Sequence, residues 1–252
     1  MTPVPAGLVE APTTPTATLR GMLVERTALD QATRDAMFAL LTAHFAGVER
    51  DVFDRDLAEK TAAILLRDGT GVVRGFSTLL VYPSEAAGRQ VTVVYSGDTI
   101  VDRAWWGSPA LAQGWLGAVR ALAANGGEVY WLLITSGFRT YRFLPVFFRE
   151  FQPRPAGPAA PGDTALLTAL ARERFGAHFD AAAGVVRFPR PQRLAADLLD
   201  VPSGRAVDPH VGFFLARNPG HAAGDELVCL TRIHDDNLTA AGRRIARHLE
   251  RG

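Results

Sequence analysis

A strand–turn–helix–strand–helix segment in the middle of the chain constrains the fold more than any other part. A strand predicted at residues 91–101 leads into a turn at 102–109, which opens directly into a helical pattern. A strongly apolar strand at 128–135 follows, and then an aromatic-rich helix is predicted at 138–151, interrupted or kinked near Pro145. All four tryptophans and all four tyrosines of the chain lie within residues 82–141. This segment therefore builds the main cleft of the protein, its main core, or both.

The turn at residues 102–109 is suited to bind a phosphate group. A glycine-containing turn that leads into a helix leaves backbone N–H groups without intrahelical acceptors, beside the positive end of the helix dipole. Gly107 supplies the glycine, whereas Pro109 has no N–H to offer. Proline is nevertheless well tolerated in the first helical turn. The alternative is that Gly107 forms a tight turn and nothing more.

Composition narrows the class of protein. With 252 residues, of which 48% are apolar, the chain can bury a substantial core as one large domain or two small ones. Its 27 basic and 26 acidic residues nearly cancel, which argues against nucleic acid as a partner. Cys229 is the sole cysteine, so no intrachain disulfide is possible, and a reducing cytoplasm fits. No apolar run approaches the ~20 residues of a membrane span.

Other segments have simpler patterns. Residues 1–16 are rich in proline and threonine and predict a disordered tail. Residues 153–162 hold four prolines and two glycines and predict a linker, followed by a C-terminal extension at 163–252 that packs on the same sheet or continues it. Outside the central segment, the patterns predict strands at 18–25, 184–188, 211–216 and 226–232 and helices at 51–60, 163–175, 191–199 and 236–251. They also predict a hairpin around 68–71 and loops at 83–90 and 218–225.

The order helix, helix, hairpin, strand, helix, strand, helix resembles that of the GNAT (Gcn5-related N-acetyltransferase) superfamily. The family pattern at its fourth strand is Leu-x-Val-x-Pro-x-x-Arg-Gly-x-Gly. Val101 and Gly107 match this pattern, whereas Thr99, Arg103, Trp106 and Pro109 depart from it. The resemblance spans residues 18–151. It implies an α/β (α+β) fold with a mixed, mostly antiparallel central sheet, helices on both faces, and an acyltransferase core at 17–152.

The resemblance also implies a ligand for the turn. In that family the turn holds the pyrophosphate of acyl-CoA, and the splayed fourth and fifth strands take the pantetheine arm. By position, the contacts here are Trp106, Gly107, Ser108 and Ala110, with the backbone of Val101 on the arm. No permanently bound cofactor is implied, because acyl-CoA or an acyl carrier protein thioester acts as the co-substrate.

Acyl transfer to an amine needs a base for the amine proton and an acid for the leaving thiolate. Asp98 stands where the family often carries an acidic base, and Gly97 beside it allows the strand to bulge and open a cleft. Burial raises the pKa of a carboxyl group. The alternative for Asp98 is a surface or ion-paired aspartate. Tyr141 lies in the region that supplies an acid tyrosine in many relatives, and its alternative is a core tyrosine.

A short element in the N-terminal half suggests the acyl donor. Phe53 lies where autoinducer synthases and N-acyl amino acid synthases carry an Arg-x-x-Phe-like element, and those enzymes often use acyl carrier protein. Aromatic residues of the central segment then line an acyl pocket or, alternatively, form core. The six histidines are scattered without metal-ligand spacing, so no metal site is predicted.

These observations predict a GNAT-like acyltransferase that moves an acyl group from acyl-CoA or acyl carrier protein to an amine-bearing small molecule. The alternative is a GNAT-shaped ligand-binding or structural protein without catalysis, which Pro109 and the missing basic residue at Trp106 favour. The identity of the acceptor and the oligomeric state are left open by the sequence.

Overall fold

The computed structural model describes residues 18–124, 126–155 and 161–249, so the predicted tail and part of the predicted linker lie outside the described residues. Ten strands are assigned within these ranges: β1 Arg20–Glu25, β2 Phe45–Ala46, β3 Ala62–Arg67, β4 Val73–Ala86, β5 Arg89–Val101, β6 Glu128–Thr135, β7 Phe179–Asp180, β8 Val185–Val186, β9 Arg193–Leu194 and β10 Glu226–Arg232. The helices in the same ranges are α1 Gln31–His44, α2 Arg50–Glu59, α3 Ala110–Ala123, α4 Phe138–Tyr141, α5 Phe143–Phe147, α6 Pro161–Phe175, α7 Ala196–Leu199, α8 Pro209–Arg217 and α9 Ala240–Leu249.

One eight-stranded mixed sheet organises the protein, in the order β1-β3-β4-β5-β6-β10-β8-β7. Its neighbouring strands are antiparallel except for β5 and β6, which are parallel and joined by α3 as the crossover helix. The predicted mixed, mostly antiparallel central sheet is thereby confirmed. Strands β10, β8 and β7 of the C-terminal third belong to this same sheet, while the domain division at residues 153–162 stays a prediction.

Helices cover both faces of the sheet, as predicted. In β6, Trp131 and Leu133 pack against α3, α5 and α9, whereas Leu132 and Ile134 pack against α6 on the other face. The α1–α2 pair covers the second face at β3 and β4. Because successive side chains of a strand point to opposite faces, a strand covered on both sides has to be apolar throughout. Full burial of each such side chain stabilises the fold by about 1.5–3 kcal/mol.

Two predictions about strands and loops were wrong. Residues 83–90 are not a loop, because β4 and β5 continue to a tight turn at Ala87 and Gly88, both with positive φ. Residues 211–216 are not a strand but lie in α8, with Pro209 in its first turn and Asp208 accepting a hydrogen bond from the N–H of His210. A short apolar run does not distinguish a strand from a buried helix, and here the Asp-Pro start signal decides.

Two predicted helices are shorter than expected. The helix at 138–151 is divided into α4 and α5 and ends at Phe147, consistent with the proline it contains. Of residues 191–199, only 196–199 are helical, because Arg193–Leu194 pairs with Phe45–Ala46 as a two-stranded ladder. This ladder ties the C-terminal third to the end of α1.

Candidate functional site

A β-bulge interrupts the pairing of β4 with β5. Ser77 pairs with Thr99 and Leu79 pairs with Ser96, so β5 has one more residue than β4 in this interval. The extra residue lies within residues 97–98, and we call this feature the bulge. It confirms that the strand bulges where the sequence placed Gly97 next to the candidate base.

The bulge reverses which face the following side chains occupy. Val94 packs in the core on one face and Ile100 on the other, although an even spacing in a regular strand would keep them together. A Cβ atom at position 97 would lie 2.7 Å from Thr78 Oγ1 and 2.9 Å from Lys60 Cε, so a larger residue would force these side chains to shift. Their close approach therefore favours glycine at the bulge.

Strands β5 and β6 separate just beyond the last of their paired residues. Pairing runs from Val91 opposite Glu128 to Ser96 opposite Leu133, while β5 continues to Val101. At the point of separation, the indole of Trp131 donates a hydrogen bond to Ser96 Oγ over 2.8 Å. The cleft that opens there has a volume of about 930 Å³ and is lined by β5, the start of α3, α4 and α5, and C-terminal segments that include residues 188–190.

Two carboxyl groups with raised pKa values face the cleft near the bulge. Burial, with a further contribution from the charge of Asp56, raises the pKa of Asp98 to about 7, against an opposing contribution from Lys60. Burial, together with the charges of Asp98 and Asp56, raises the pKa of Glu226 to about 8. Both carboxyl groups therefore retain their protons to higher pH than ordinary carboxyl groups do. The prediction that burial would raise the pKa of Asp98 agrees with this geometry.

Glu226 was missed by the sequence reasoning. It is the first residue of β10, and it reaches the cleft because β10 pairs with β6, placing Leu227 opposite Thr135. The sequence indicates a strand at 226–232 but not its neighbour in the sheet. Strand order, which depends on packing of the whole chain, is what brings this carboxyl close to Asp98.

The turn before α3 lies at the other end of the cleft, four residues and about 13 Å along β5 from Asp98. Ser108 Oγ accepts a hydrogen bond from the N–H of Ala110 over 3.2 Å. Within the described part of the chain, the N–H groups of Leu111 and Ala112 have no acceptor, and both residues line the cleft. These two donors were not among the predicted contacts, and the predicted contacts in the turn stay predictions.

The predicted contacts in this turn have different environments. Val101, Trp106 and Ser108 line the cleft, whereas Gly107 and Ala110 are not among its lining residues. The indole of Trp106 donates a hydrogen bond to the carbonyl oxygen of Val101 over 2.8 Å. Gly107 is exposed, and a Cβ there would meet nothing within 4 Å. Its lack of a side chain is therefore not required by packing.

Basic side chains surround this end of the cleft. The guanidinium of Arg139 lies 4.8 Å from the ring of Trp106 and donates to the carbonyl oxygen of Leu198 over 2.6 Å. Arg103, in the turn, forms an ion pair with Asp197 of α7. Desolvation, and the nearby charge of Arg103, lower the pKa of Arg139. No salt bridge within 4 Å is formed by Arg139 among the described residues, although the charge of Asp200 favours its ionised form, so its guanidinium can also contact an anion.

Tyr141 does not reach the cleft. Its side chain is fully buried, its ring packs against Phe213 and Phe214, and its hydroxyl donates to the carbonyl oxygen of Pro153 over 2.8 Å. Burial raises the pKa of Tyr141. The structure thus places it in the core, apart from Asp98. Tyr95 is the tyrosine that lines the cleft, and burial, with added effects of nearby carboxylates, raises its pKa well above the usual value.

Two further features concern metal ions and membranes. No group of three or more His, Cys, Asp or Glu side chains within the described ranges is arranged to hold a metal ion. Among the same residues, no helix combines the length and the apolar character needed to cross a membrane. The predicted cytoplasmic location stays a prediction.

Comparison with known proteins finds similarity only at the level of structure. No family model and no curated protein matches the sequence. A conserved protein of unknown function from Enterococcus faecalis V583, described as a probable N-acyltransferase, is 11% identical over 52% of this chain and 33% of its own, with a TM-score of 0.41. This chain therefore spans only about a third of that protein's length.

Solved N-acetyltransferases are also among the similar structures. A GNAT family N-acetyltransferase from Escherichia coli, in complex with CoA, is 19% identical over 50% of this chain and 68% of its own, with a TM-score of 0.38. N-acetylglutamate synthase from Neisseria gonorrhoeae, complexed with coenzyme A and N-acetyl-glutamate, is 10% identical over 85% of this chain and 35% of its own, with a TM-score of 0.40. The predicted link to autoinducer synthases stays a prediction.

Proposed function

We propose that the protein is an N-acyltransferase that moves an acyl group from a CoA thioester to an amine of a small molecule. The observation that carries this proposal is the charge asymmetry of the cleft. Asp98 and Glu226 lie near the bulge, whereas Arg139 and two free backbone N–H groups lie near the start of α3. Such a cleft fits an anionic donor at one end and a cationic amine at the other.

The donor would bind with its pyrophosphate at the start of α3. The N–H groups of Leu111 and Ala112, the helix dipole and the guanidinium of Arg139 supply the favourable charges. Among the described residues, no strand pairs with β5 beyond Ser96 on the β6 side, so its backbone there is open to hydrogen-bond the pantetheine arm. Acyl carrier protein, whose phosphopantetheine has the same arm, is a second possible carrier of the thioester.

The acceptor amine would bind near the bulge, where ionised Asp98 attracts an ammonium group and then takes one of its protons. The neutral nitrogen attacks the thioester carbonyl carbon, so a C–N bond forms while the C–S bond breaks. The second nitrogen proton goes to the departing thiolate, and the products are an amide and a thiol. A base with a pKa of about 7 is well matched to this step near neutral pH.

Binding of the donor is tested by thermal unfolding of the full chain with CoA, acetyl-CoA and a long-chain acyl-CoA. A ligand present at 100 times its Kd stabilises the folded state by about 2.7 kcal/mol and raises the Tm. Pantetheine, which lacks the pyrophosphate, is the matched control and is expected to give a smaller shift. No shift with any CoA thioester or with acylated carrier protein would contradict the proposal.

The reaction is tested by following thiol release from acetyl-CoA with a panel of primary amines. Asp98→Asn is expected to reduce turnover at least 100-fold while donor binding stays unchanged, because general-base catalysis contributes about 10²–10⁴-fold. Asp51→Asn, at an exposed ion pair with Arg55, is the matched control. Donor binding without thiol release for any amine would favour the non-catalytic alternative.

A further inference from the structure

Lys60 is the only lysine of the chain, and its side chain is completely buried. It follows α2, and its Nζ donates to Oδ1 of Asp56, one turn earlier, over 2.5 Å. Burying an ammonium group costs several kcal/mol unless close partners compensate. The Asp56 carboxylate is 39% exposed, so this ion pair gives only part of that compensation. The burial of Lys60 therefore needs a second reason.

The second reason lies in the bulge. The position that a Cβ atom would take on Gly97 is 2.9 Å from Lys60 Cε and 3.3 Å from Lys60 Nζ. Nζ also lies 5.1 Å from the ring centroid of Tyr95, within the range of a cation–π interaction. Lys60 thus packs directly beneath the segment that carries Asp98, and Gly97 provides the space it occupies.

A buried hydroxyl group also lies next to Gly97 in the bulge. Thr78 Oγ1 would lie 2.7 Å from the Cβ position on Gly97, and it has no hydrogen-bond partner within the described part of the chain. The ammonium has three protons, of which Asp56 accepts one. The remaining ammonium protons of Lys60 and the unpaired hydroxyl group of Thr78 therefore lie together under the bulge.

Charged groups from several elements surround Asp98. Asp56 and Lys60 come from α2 and its C-terminal end, and Glu226 comes from β10. From α6, Arg174 lies 5.1 Å from the ring of Tyr95 and pairs with Glu59 over 2.8 Å. Lys60 is the one cation among these groups that acts directly on the ionisation of Asp98.

We propose that Lys60 is a positioning residue of the candidate site, whose buried ammonium group beneath the bulge favours the proton-accepting, ionised form of the Asp98 carboxyl without touching substrate. For its catalytic consequence this inference rests on the proposed function. The effect of Lys60 on the ionisation of Asp98 does not depend on that function, because this ionisation is measurable in the absence of any substrate.

The test is a ¹³C NMR titration of aspartate carboxyl groups in the full-length protein, with the Asp98 signal assigned by its loss in Asp98→Asn. Lys60→Met removes the favourable charge and is expected to raise the pKa of Asp98 by one unit or more. Lys60→Arg keeps the charge and is expected to leave this pKa closer to the wild-type value. A folded Lys60→Met protein with the pKa of Asp98 within about 0.3 unit of wild type overturns the inference.

A second comparison keeps the test decisive if Lys60→Met does not fold. The double variant Lys60→Met/Asp56→Asn removes the pair as a neutral unit and leaves no buried charge unpaired. Its reference is Asp56→Asn alone, so that the difference isolates Lys60. The pKa of Asp98 is expected to be at least one unit higher in the double variant, and equal values overturn the inference.

Acyl transfer separates this inference from the proposed function. With acetyl-CoA and the amine panel, Lys60→Met is expected to lower kcat about tenfold on the acid side of the pH profile, to recover at high pH, and to leave donor binding unchanged. A pKa shift of Asp98 without acyl transfer by the wild-type protein refutes the proposed function alone. Acyl transfer with an unmoved pKa refutes the role of Lys60 alone.

Discussion

Replacing Asp98 by asparagine should stabilise the folded protein at neutral and alkaline pH. The carboxyl group lies in the cleft with its pKa raised from 3.8 to about 7, chiefly by burial. A raised carboxyl pKa means that the folded state resists ionisation more than the unfolded state does. Asparagine has nearly the same shape and no charge to bury, so the substitution removes this cost.

The sign and size of the effect follow from proton linkage. Between about pH 4 and pH 7 the unfolded chain has lost the Asp98 proton while the folded protein retains it, so this group makes the folded state less stable as the pH rises. Below pH 4 the cost is absent, and above pH 7 it is complete. A difference of about three pKa units corresponds to about 4 kcal/mol. Because the Asp98 side chain is only partly buried, we expect Asp98→Asn to raise the unfolding free energy above pH 7 by about 2–4 kcal/mol.

Urea denaturation of wild type and Asp98→Asn at pH 4, 6 and 8 measures this effect. The difference in unfolding free energy should be small at pH 4, intermediate at pH 6 and largest at pH 8. Asp51→Asn, which breaks only an exposed ion pair with Arg55, should change stability by less than about 1 kcal/mol at each pH. A difference between Asp98→Asn and wild type that does not vary with pH would refute the reasoning.

Further predictions test neighbouring parts of the site. Gly97→Ala should destabilise the protein by about 1–3 kcal/mol, because the added methyl group would lie 2.7 Å and 2.9 Å from side-chain atoms. Gly107→Ala, with open space around it, should change stability by less than about 0.5 kcal/mol in the same urea denaturation. Trp106→Phe should cost about 1 kcal/mol in thermal unfolding, because a 2.8 Å indole hydrogen bond to a backbone carbonyl is lost. Asp98→Asn should lower the pKa of Glu226 from about 8 in an NMR titration, since the charge of Asp98 is its largest electrostatic cause, and an unchanged pKa would contradict their proximity.

Local sequence signals were sufficient for the parts of the site that depend on one strand. Gly97 beside Asp98 in an otherwise β-branched run indicates a bulge, because glycine in a strand tolerates close approach of other groups. The strong apolar character of 128–135 likewise indicates a buried strand, and the structure has the same bounds for β6. In both places the residue pattern and the final contacts agree because the determining neighbours lie close in the sheet.

Parts of the site that depend on distant segments were not predictable. Glu226 reaches the cleft through the pairing of β10 with β6, about ninety residues apart in sequence, and nothing in its own neighbourhood indicates this. Tyr141 follows a strand end as a candidate acid would, but the short α4 turns its side chain into the core toward Phe213 and Phe214. A helix begins with a direction set by its packing, and one residue of offset changes which side chain faces the cleft.

In the sequence, Pro109 was the residue that argued most strongly against a phosphate site. The geometry of the turn leads to a different interpretation. Ser108 already satisfies the N–H of Ala110, so that donor is not free whatever residue precedes it. Two amides without an acceptor among the described residues, those of Leu111 and Ala112, lie after the proline, and both residues line the cleft. Proline at position 109 therefore fixes the start of the helix, and although it offers no N–H itself, it leaves these two donors available to a pyrophosphate. What distinguishes donor binding from a structural turn is then the affinity for CoA over pantetheine, because only CoA places a pyrophosphate on these two amides.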